Sequence, residues 1–72
     1  MDRKKIRVSF FGFDSQNRPV YVDGQGTLWK DTDPRRHAPA SLYTTKGDTL
    51  EWEPDVAMFP DIPVFDGRRV TW

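Results

Sequence analysis

Cysteine and long apolar runs are both missing from this chain. None of its 72 residues is a cysteine, so neither a disulfide framework nor a thiolate zinc site is available to brace so small a domain. A reducing, cytoplasmic setting is expected on that ground. No window approaches the roughly 20 apolar residues of a membrane-spanning helix, and no signal-length apolar run follows the basic N-terminus. Neither secretion nor membrane insertion is expected.

The chain also lacks an excess of one charge. Eleven Lys and Arg balance eleven Asp and Glu. The distribution is uneven, because residues 1–40 hold eight basic and five acidic residues, whereas residues 41–72 hold three and six. The simplest expectation is that the two halves lie side by side and neutralise each other, since balanced charge is not typical of a nucleic-acid-binding protein.

Aromatic residues are plentiful, at 14% of the chain. A chain of this length forms one domain at most, and we expect residues 1–72 to be a single small β domain. Such a chain buries only about 60% of its unfolded surface, so the aromatic side chains must supply much of the core.

Residues Pro19–Asp31, PVYVDGQGTLWKD, show the pattern of a β-hairpin, with two β-branched and aromatic stretches around a glycine-containing turn. A two-residue loop at Asp23-Gly24 leaves Tyr21 and Val22 without apolar partners. A three-residue loop with Gly26 in the left-handed conformation avoids this. It predicts these cross-strand pairs: Tyr21 with Trp29, Val22 with Leu28, and Asp23 with Thr27. One face then carries Val20, Val22 and Leu28, and the other carries the Tyr21/Trp29 pair.

The residues before this hairpin predict another strand. Through Lys5–Phe13 the residues alternate between a buried face, with Ile6, Val8 and Phe10, and an opposite face that includes Phe11 and Phe13. Gly12 indicates a bulge or a close backbone approach. Turn-forming residues follow at Asp14–Asn17, and Pro19 suits the first position of a strand. Residues 5–32 therefore predict a three-stranded antiparallel meander.

The second half predicts shorter elements. A polar loop is expected at Asp33–Ala40, and Ser41–Thr45 is either one helical turn or, as we favour, a short extended segment. Further predictions are a strand at Thr49–Glu53, one helical turn at Asp55–Phe59 and a terminal edge strand at Arg68–Trp72. The fold class is mainly β: a small antiparallel meander closed or capped into a barrel or roll by the Pro-rich C-terminal half. The alternative is α+β with one short helix.

No pattern for catalysis or metal binding is present. The only histidine, His37, lies in the polar loop, and a lone loop histidine is more often solvated than catalytic. The spacing of Asp31 and Asp33 does not match the twelve-residue calcium loop. We therefore expect no catalytic residue, metal, cofactor or enzymatic activity.

Exposed aromatics and a basic loop are the candidate binding features. The residues are Tyr21, Trp29, Phe11, Phe13, Arg35, Arg36 and His37. Trp, Tyr and Arg often dominate interface energies, which favours a protein-interaction module with a protein partner. The alternative is a small β-barrel that binds single-stranded nucleic acid on an aromatic sheet face. A third possibility is that the Tyr21/Trp29 face packs into the core. Oligomeric state is left open.

A resemblance rests on three runs of sequence: FFGFDSQNRPVYVDGQGTLWKD, LYTTKGD and EPD. In these runs the chain resembles uncharacterised small proteins and appended domains of bacterial mobile elements, of the large polyvalent protein-associated type. The resemblance implies a phage or mobile-element origin. It carries no functional residue over to this chain, because such families have no assigned activity.

Overall fold

The structure, a computed structural model, describes residues 3–46, 51 and 53–72. The described residues form six strands and no helix. The strands are β1 Lys5–Phe13, β2 Pro19–Asp23, β3 Leu28–Asp31, β4 Leu42–Thr45, β5 Pro54–Ala57 and β6 Ile62–Phe65. The mainly β class is thus confirmed. No helix in the described part of the chain is long and apolar enough to cross a membrane.

All six strands belong to one mixed sheet in the order β5-β4-β3-β2-β1-β6. The first five positions are antiparallel, which confirms the predicted meander, whereas β6 pairs with β1 in parallel. Strands β5 and β6 lie at opposite ends of the sheet. The sheet is open, so closure into a barrel is not confirmed.

The hairpin between β2 and β3 has the predicted three-residue loop. Tyr21 pairs with Trp29 and Val22 with Leu28, and Gly26 has φ of 83°. The Asp23 N–H donates to the Thr27 carbonyl at 3.0 Å, which closes the loop. This register places the Tyr21/Trp29 pair on one face of the sheet.

Strand β1 contains the irregularity that Gly12 suggested. The pairing with β2 shifts between Phe10 and Gly12, so one residue of β1 is extra and the alternation of faces restarts after it. Strict alternation had placed Phe13 on the face opposite Phe10. The bulge instead brings the two rings together, with centroids 5.1 Å apart.

The segment after the polar loop is extended, as favoured, because β4 covers Leu42–Thr45. The predicted strand Thr49–Glu53 lies mostly outside the described residues, and Glu51 is in a turn. The predicted helical turn Asp55–Phe59 is wrong, since β5 runs from Pro54 to Ala57. A proline is tolerated as the first residue of an edge strand, where its missing N–H costs no ladder hydrogen bond.

The predicted terminal strand is also wrong. The edge strand is β6, and Arg68–Trp72 crosses the sheet as an irregular segment that we call the C-terminal strap. Gly67, with φ of 99°, lies in the bend that separates them. The strap finds partners in side chains and loop carbonyls instead of a ladder: Val70 N–H donates to Tyr21 Oη at 2.9 Å, and Trp72 N–H to Pro34 O at 2.9 Å.

One face of the sheet builds the apolar core. Its buried members come from four strands and from the turn after β5: Val8, Tyr21, Trp29, Leu42 and Met58. Ile6, Ala40 and Phe65 pack against them. The C-terminal strap crosses the same side, because its backbone hydrogen-bonds to the Tyr21 hydroxyl.

Candidate binding surface

Tyr21 and Trp29, predicted as binding residues, belong to the core. Only 1% of Tyr21 and 9% of Trp29 is exposed. Tyr21 packs edge-on against Phe65, with ring centroids 4.9 Å apart, and burial raises the pKa of its phenol. Trp29 Nε1–H donates to Asp23 Oδ2 at 3.1 Å. Both rings belong to the core cluster, and the strap also contacts Tyr21, so this pair does not form an exposed platform.

The exposed rings belong to the second half of β1. Phe10, Phe11 and Phe13 are 41%, 55% and 47% exposed, and we call them the aromatic patch. Phe11 and Phe13 were predicted as binding residues, whereas Phe10 was assigned to the buried face of the strand. The bulge indicated by Gly12 was the signal that could have joined Phe10 and Phe13 on one face.

The aromatic patch lies on a part of β1 that has one open edge. Strand β6 pairs only with Lys5 to Val8, and the Asp66 N–H then donates to the Val8 carbonyl at 2.7 Å. Among the described residues no strand runs beside the rest of β1 on that side. An open strand edge presents backbone N–H and C=O groups that can pair with another extended chain.

Trp72 connects this end of β1 to the polar loop. Its Nε1–H donates to Asn17 O, in the turn after β1, at 2.8 Å, and its backbone N–H donates to Pro34 O. The side chain nevertheless remains 63% exposed. The pattern of the terminal run did not separate Trp72 from the predicted edge strand, so this exposed ring was missed.

The predicted basic loop is exposed. Arg35, Arg36 and His37 line a shallow depression of about 470 Å³ with Ala38 and Pro39. Arg35 donates through Nε to Asp33 Oδ1 at 2.7 Å and through Nη2 to Oδ2 at 3.0 Å. These bonds lower the pKa of the Asp33 carboxyl. Arg36 and His37 make no ion pair with any described residue, so they are the members of the loop available to a partner.

Arg69 of the strap binds to the polar loop and to the end of β3. Its Nη1 donates to Ala38 O at 2.7 Å, and its Nη2 lies 3.5 Å from the buried Asp31 carboxylate. Asp31 Oδ1 in turn accepts from the N–H groups of Asp33 and Ser41, at 3.0 and 3.1 Å. The Asp31 side chain therefore binds both ends of the loop, although the loop has no regular structure.

A second buried acid holds a charge cluster on the opposite face. Asp14 Oδ2 lies 2.9 Å from the fully buried Lys30 Nζ and 2.7 Å from Arg18 Nε. Burial by itself would raise the pKa of Asp14, but hydrogen bonds from Lys30 and Arg18 outweigh it and lower the pKa to about 2. These charges are used within the fold, which separates them from the cations available for binding.

An apolar groove of about 420 Å³ lies between β4 and β6. Its lining includes Leu42, Tyr43, Met58, Phe59 and Ile62.

No three Asp, Glu or His side chains of the described residues are grouped to hold a metal ion. Comparison of the chain with protein-family models, curated proteins and solved structures found no match.

Proposed function

We propose that this protein is a protein-interaction module that binds an extended segment of a protein partner at the aromatic patch. The observation that carries the proposal is the coincidence of three exposed phenylalanines with the open edge of β1. In this proposal the protein is not an enzyme, and it acts in the cytoplasm. Its resemblance to mobile-element proteins supports a phage or mobile-element origin.

The physical basis is strand addition. An extended peptide that continues the sheet beyond the end of β6 satisfies the open backbone groups of β1, and its alternate side chains meet the phenylalanine rings. Burying apolar surface contributes about 25 cal/mol per Å² removed from water. We further infer that the C-terminal half caps the sheet as a roll, with this edge left open.

Trp72 and the basic loop extend the proposed surface. Trp72 hydrogen-bonds to the turn after β1 and to the beginning of the loop, so Arg36 and His37 belong to a segment that is joined to the patch. Exposed aromatic residues with arginine at the rim are typical of protein interfaces.

Single-stranded nucleic-acid binding is the second candidate. It is favoured by the exposed rings of β1, because bases stack on exposed aromatic side chains. Salt dependence separates the two candidates. Phosphate contacts release counterions, so nucleic-acid affinity falls steeply as salt rises, whereas binding by apolar contacts and strand pairing does not.

The test is selection of peptides from a displayed random library on the wild-type protein, followed by calorimetric measurement of the selected sequences. We expect binding of the selected peptides to weaken at least about tenfold in F11S/F13S, because interface aromatics typically carry the largest share of the binding energy. Phe11 makes no close ring contact with a described residue, so F11S alone serves as a variant that leaves the core intact.

The matched control is V56S/F59S, which removes two exposed apolar side chains on β5 and in the turn after it, outside the patch, and should bind like the wild type. Equal weakening by both double variants would contradict the proposed surface. Tight binding of an oligothymidylate that is lost at moderate salt, without peptide binding, would establish the second candidate instead.

A further inference from the structure

The beginning of β1 forms one wall of a cleft that the proposed function does not use. The cleft has a volume of about 450 Å³ and lies between β1 and the turn of the β2–β3 hairpin. Its lining is Lys4, Lys5, Ile6, Arg7, Asp23, Gly24, Gln25, Thr27 and Trp29. We call it the basic cleft, because three of these side chains are cations and one is an acid.

The cations of the basic cleft have no ion-pair partner among the described residues. Lys4, Lys5 and Arg7 are all exposed, and the ion pairs of the fold join other residues. The Asp61 carboxylate accepts from the backbone N–H of Lys4 at 3.2 Å, which leaves the ammonium group free. Glu51, from the acidic half of the chain, accepts from Ser15 N–H at 3.3 Å, beyond the opposite end of β1.

The acid within the cleft is held by its own hairpin. Asp23 Oδ1 accepts from the N–H groups of Gln25 and Thr27, both at 2.9 Å, and Oδ2 accepts from Trp29 Nε1. Burial tends to raise the pKa of Asp23, but these hydrogen bonds outweigh it and lower the pKa. Both oxygens are therefore engaged, and the carboxylate does not clamp the neighbouring lysines.

We infer that the basic cleft binds an acidic segment of a protein partner, an inference that rests on the proposed interaction function. Lys4, Lys5 and Arg7 supply three cations over about 10 Å of extended strand, which matches three or four residues of an extended peptide. Carboxylates at alternate positions of such a peptide complement this spacing, and Arg7 offers a fork of donors that suits a carboxylate.

One observation favours an acidic peptide over nucleic acid as the occupant of the cleft. Trp29 is the aromatic side chain of its lining, and its ring is too buried for a base to stack on it. The cleft thus provides short-range charge complementarity without a stacking platform.

The test uses fluorescence anisotropy with a labelled octapeptide of alternating Glu and Ser, at about 20 mM salt, where the Debye length exceeds 10 Å. We expect binding to weaken at least about tenfold in K5Q/R7Q, because two cations that face the peptide are removed. The charge-matched control, K46Q/R68Q, removes two exposed cations outside the cleft and should change the affinity less than twofold. A Gln-for-Glu version of the peptide should not bind.

Equal weakening by K5Q/R7Q and K46Q/R68Q would overturn the inference, because net charge alone would then account for binding. Tighter binding of an oligothymidylate of similar length, also lost in K5Q/R7Q, would assign the cleft to nucleic acid and overturn it as well. Failure of the acidic peptide to bind the wild type would do the same. Selected peptides that lose affinity in F11S/F13S should bind K5Q/R7Q normally, so failure of this inference is distinguishable from failure of the proposed function.

Discussion

Asp14 organises the most buried charges of the molecule. Besides its contacts with Lys30 and Arg18, its Oδ1 accepts from the N–H groups of Gln16 and Arg18 at 2.9 and 2.8 Å. One carboxylate therefore closes the β1–β2 turn and compensates a lysine that is fully buried in β3. A charged group without compensation at such a position is costly, because burial removes its hydration.

We predict that D14N lowers the free energy of unfolding by about 3 kcal/mol, since it removes the carboxylate that lies against the buried Lys30 ammonium group. Urea denaturation at neutral pH measures the change. The control is D33N, which breaks the exposed pair with Arg35 and should leave the urea midpoint nearly unchanged. Equal effects of the two substitutions would show that burial of the Lys30–Asp14 pair does not matter.

Asp14 should also make the free energy of unfolding depend on pH in the acid range. The pKa of Asp14 in the folded protein is about 2, below its ordinary value of 3.8. The stabilisation that the Asp14 carboxylate contributes is therefore fully present at pH values above its ordinary pKa, and it is lost as the pH falls through about 2. The difference corresponds to about 2 kcal/mol. The free energy of unfolding of D14N should therefore change less between about pH 5 and pH 2 than that of the wild type.

At the scale of the element, the two glycines of the β2–β3 turn differ in backbone conformation. Gly26 has φ of 83°, where a side chain strains the backbone, although an added Cβ at this position would meet no atom within 4 Å. Gly24 has equally open surroundings and no such backbone angle. The pair therefore separates backbone conformation from packing.

We predict that G26A lowers the free energy of unfolding by about 1 kcal/mol, whereas G24A leaves it unchanged or raises it by up to about 0.5 kcal/mol through a less flexible unfolded chain. Urea midpoints of the two variants measure the difference. A similar loss in both variants would mean that φ at Gly26 is not what selects the three-residue loop.

The elements that the sequence predicted correctly depend on local chemistry. The bounds of β1 follow from alternation, and the β2–β3 register follows from one glycine and four side chains that need partners across a short loop. These are interactions between residues close in sequence. The burial of Tyr21 depends instead on Phe65 and the C-terminal strap, which are far away in the chain, so local patterns left its exposure undecided.

The elements that were predicted wrongly depend on distant partners. Pro54 was expected to end a strand, yet it begins β5 because Thr45 pairs with it at the sheet edge. The Arg68–Trp72 run has the composition of a strand, but Ile62–Phe65 occupies the edge of β1 beside Lys5–Val8. Nothing in the alternation of either segment states which one pairs with β1.

At the scale of the whole molecule, the C-terminal strap connects the core to the loop. It contacts Tyr21 in the sheet, Ala38 in the loop and Asn17 in the first turn. These hydrogen bonds join segments that share no strand ladder. The exposed Trp72 side chain is therefore held by the first turn and the loop, and the middle of the strap is held by the bond at Tyr21.

We predict that Y21F lowers the free energy of unfolding by about 1–2 kcal/mol, because Val70 N–H loses its acceptor in a partly buried site. Hydrogen exchange at the Val70 amide should accelerate more than exchange in the β2–β3 ladder. The control is Y43F, whose hydroxyl makes no hydrogen bond to a described residue and should change stability little. If Y43F accelerated Val70 exchange equally, the hydroxyl would not be what anchors the strap.

The parallel pairing of β1 with β6 has a consequence for synthesis of the chain. Lys5 is synthesised 57 positions before its neighbour in the sheet, Ile62. Sheets completed by contacts so distant in sequence form slowly. While the intervening residues are translated, the edge of β1 that later pairs with β6 stays unpaired. The nascent chain is therefore more vulnerable to wrong strand pairing than the finished protein.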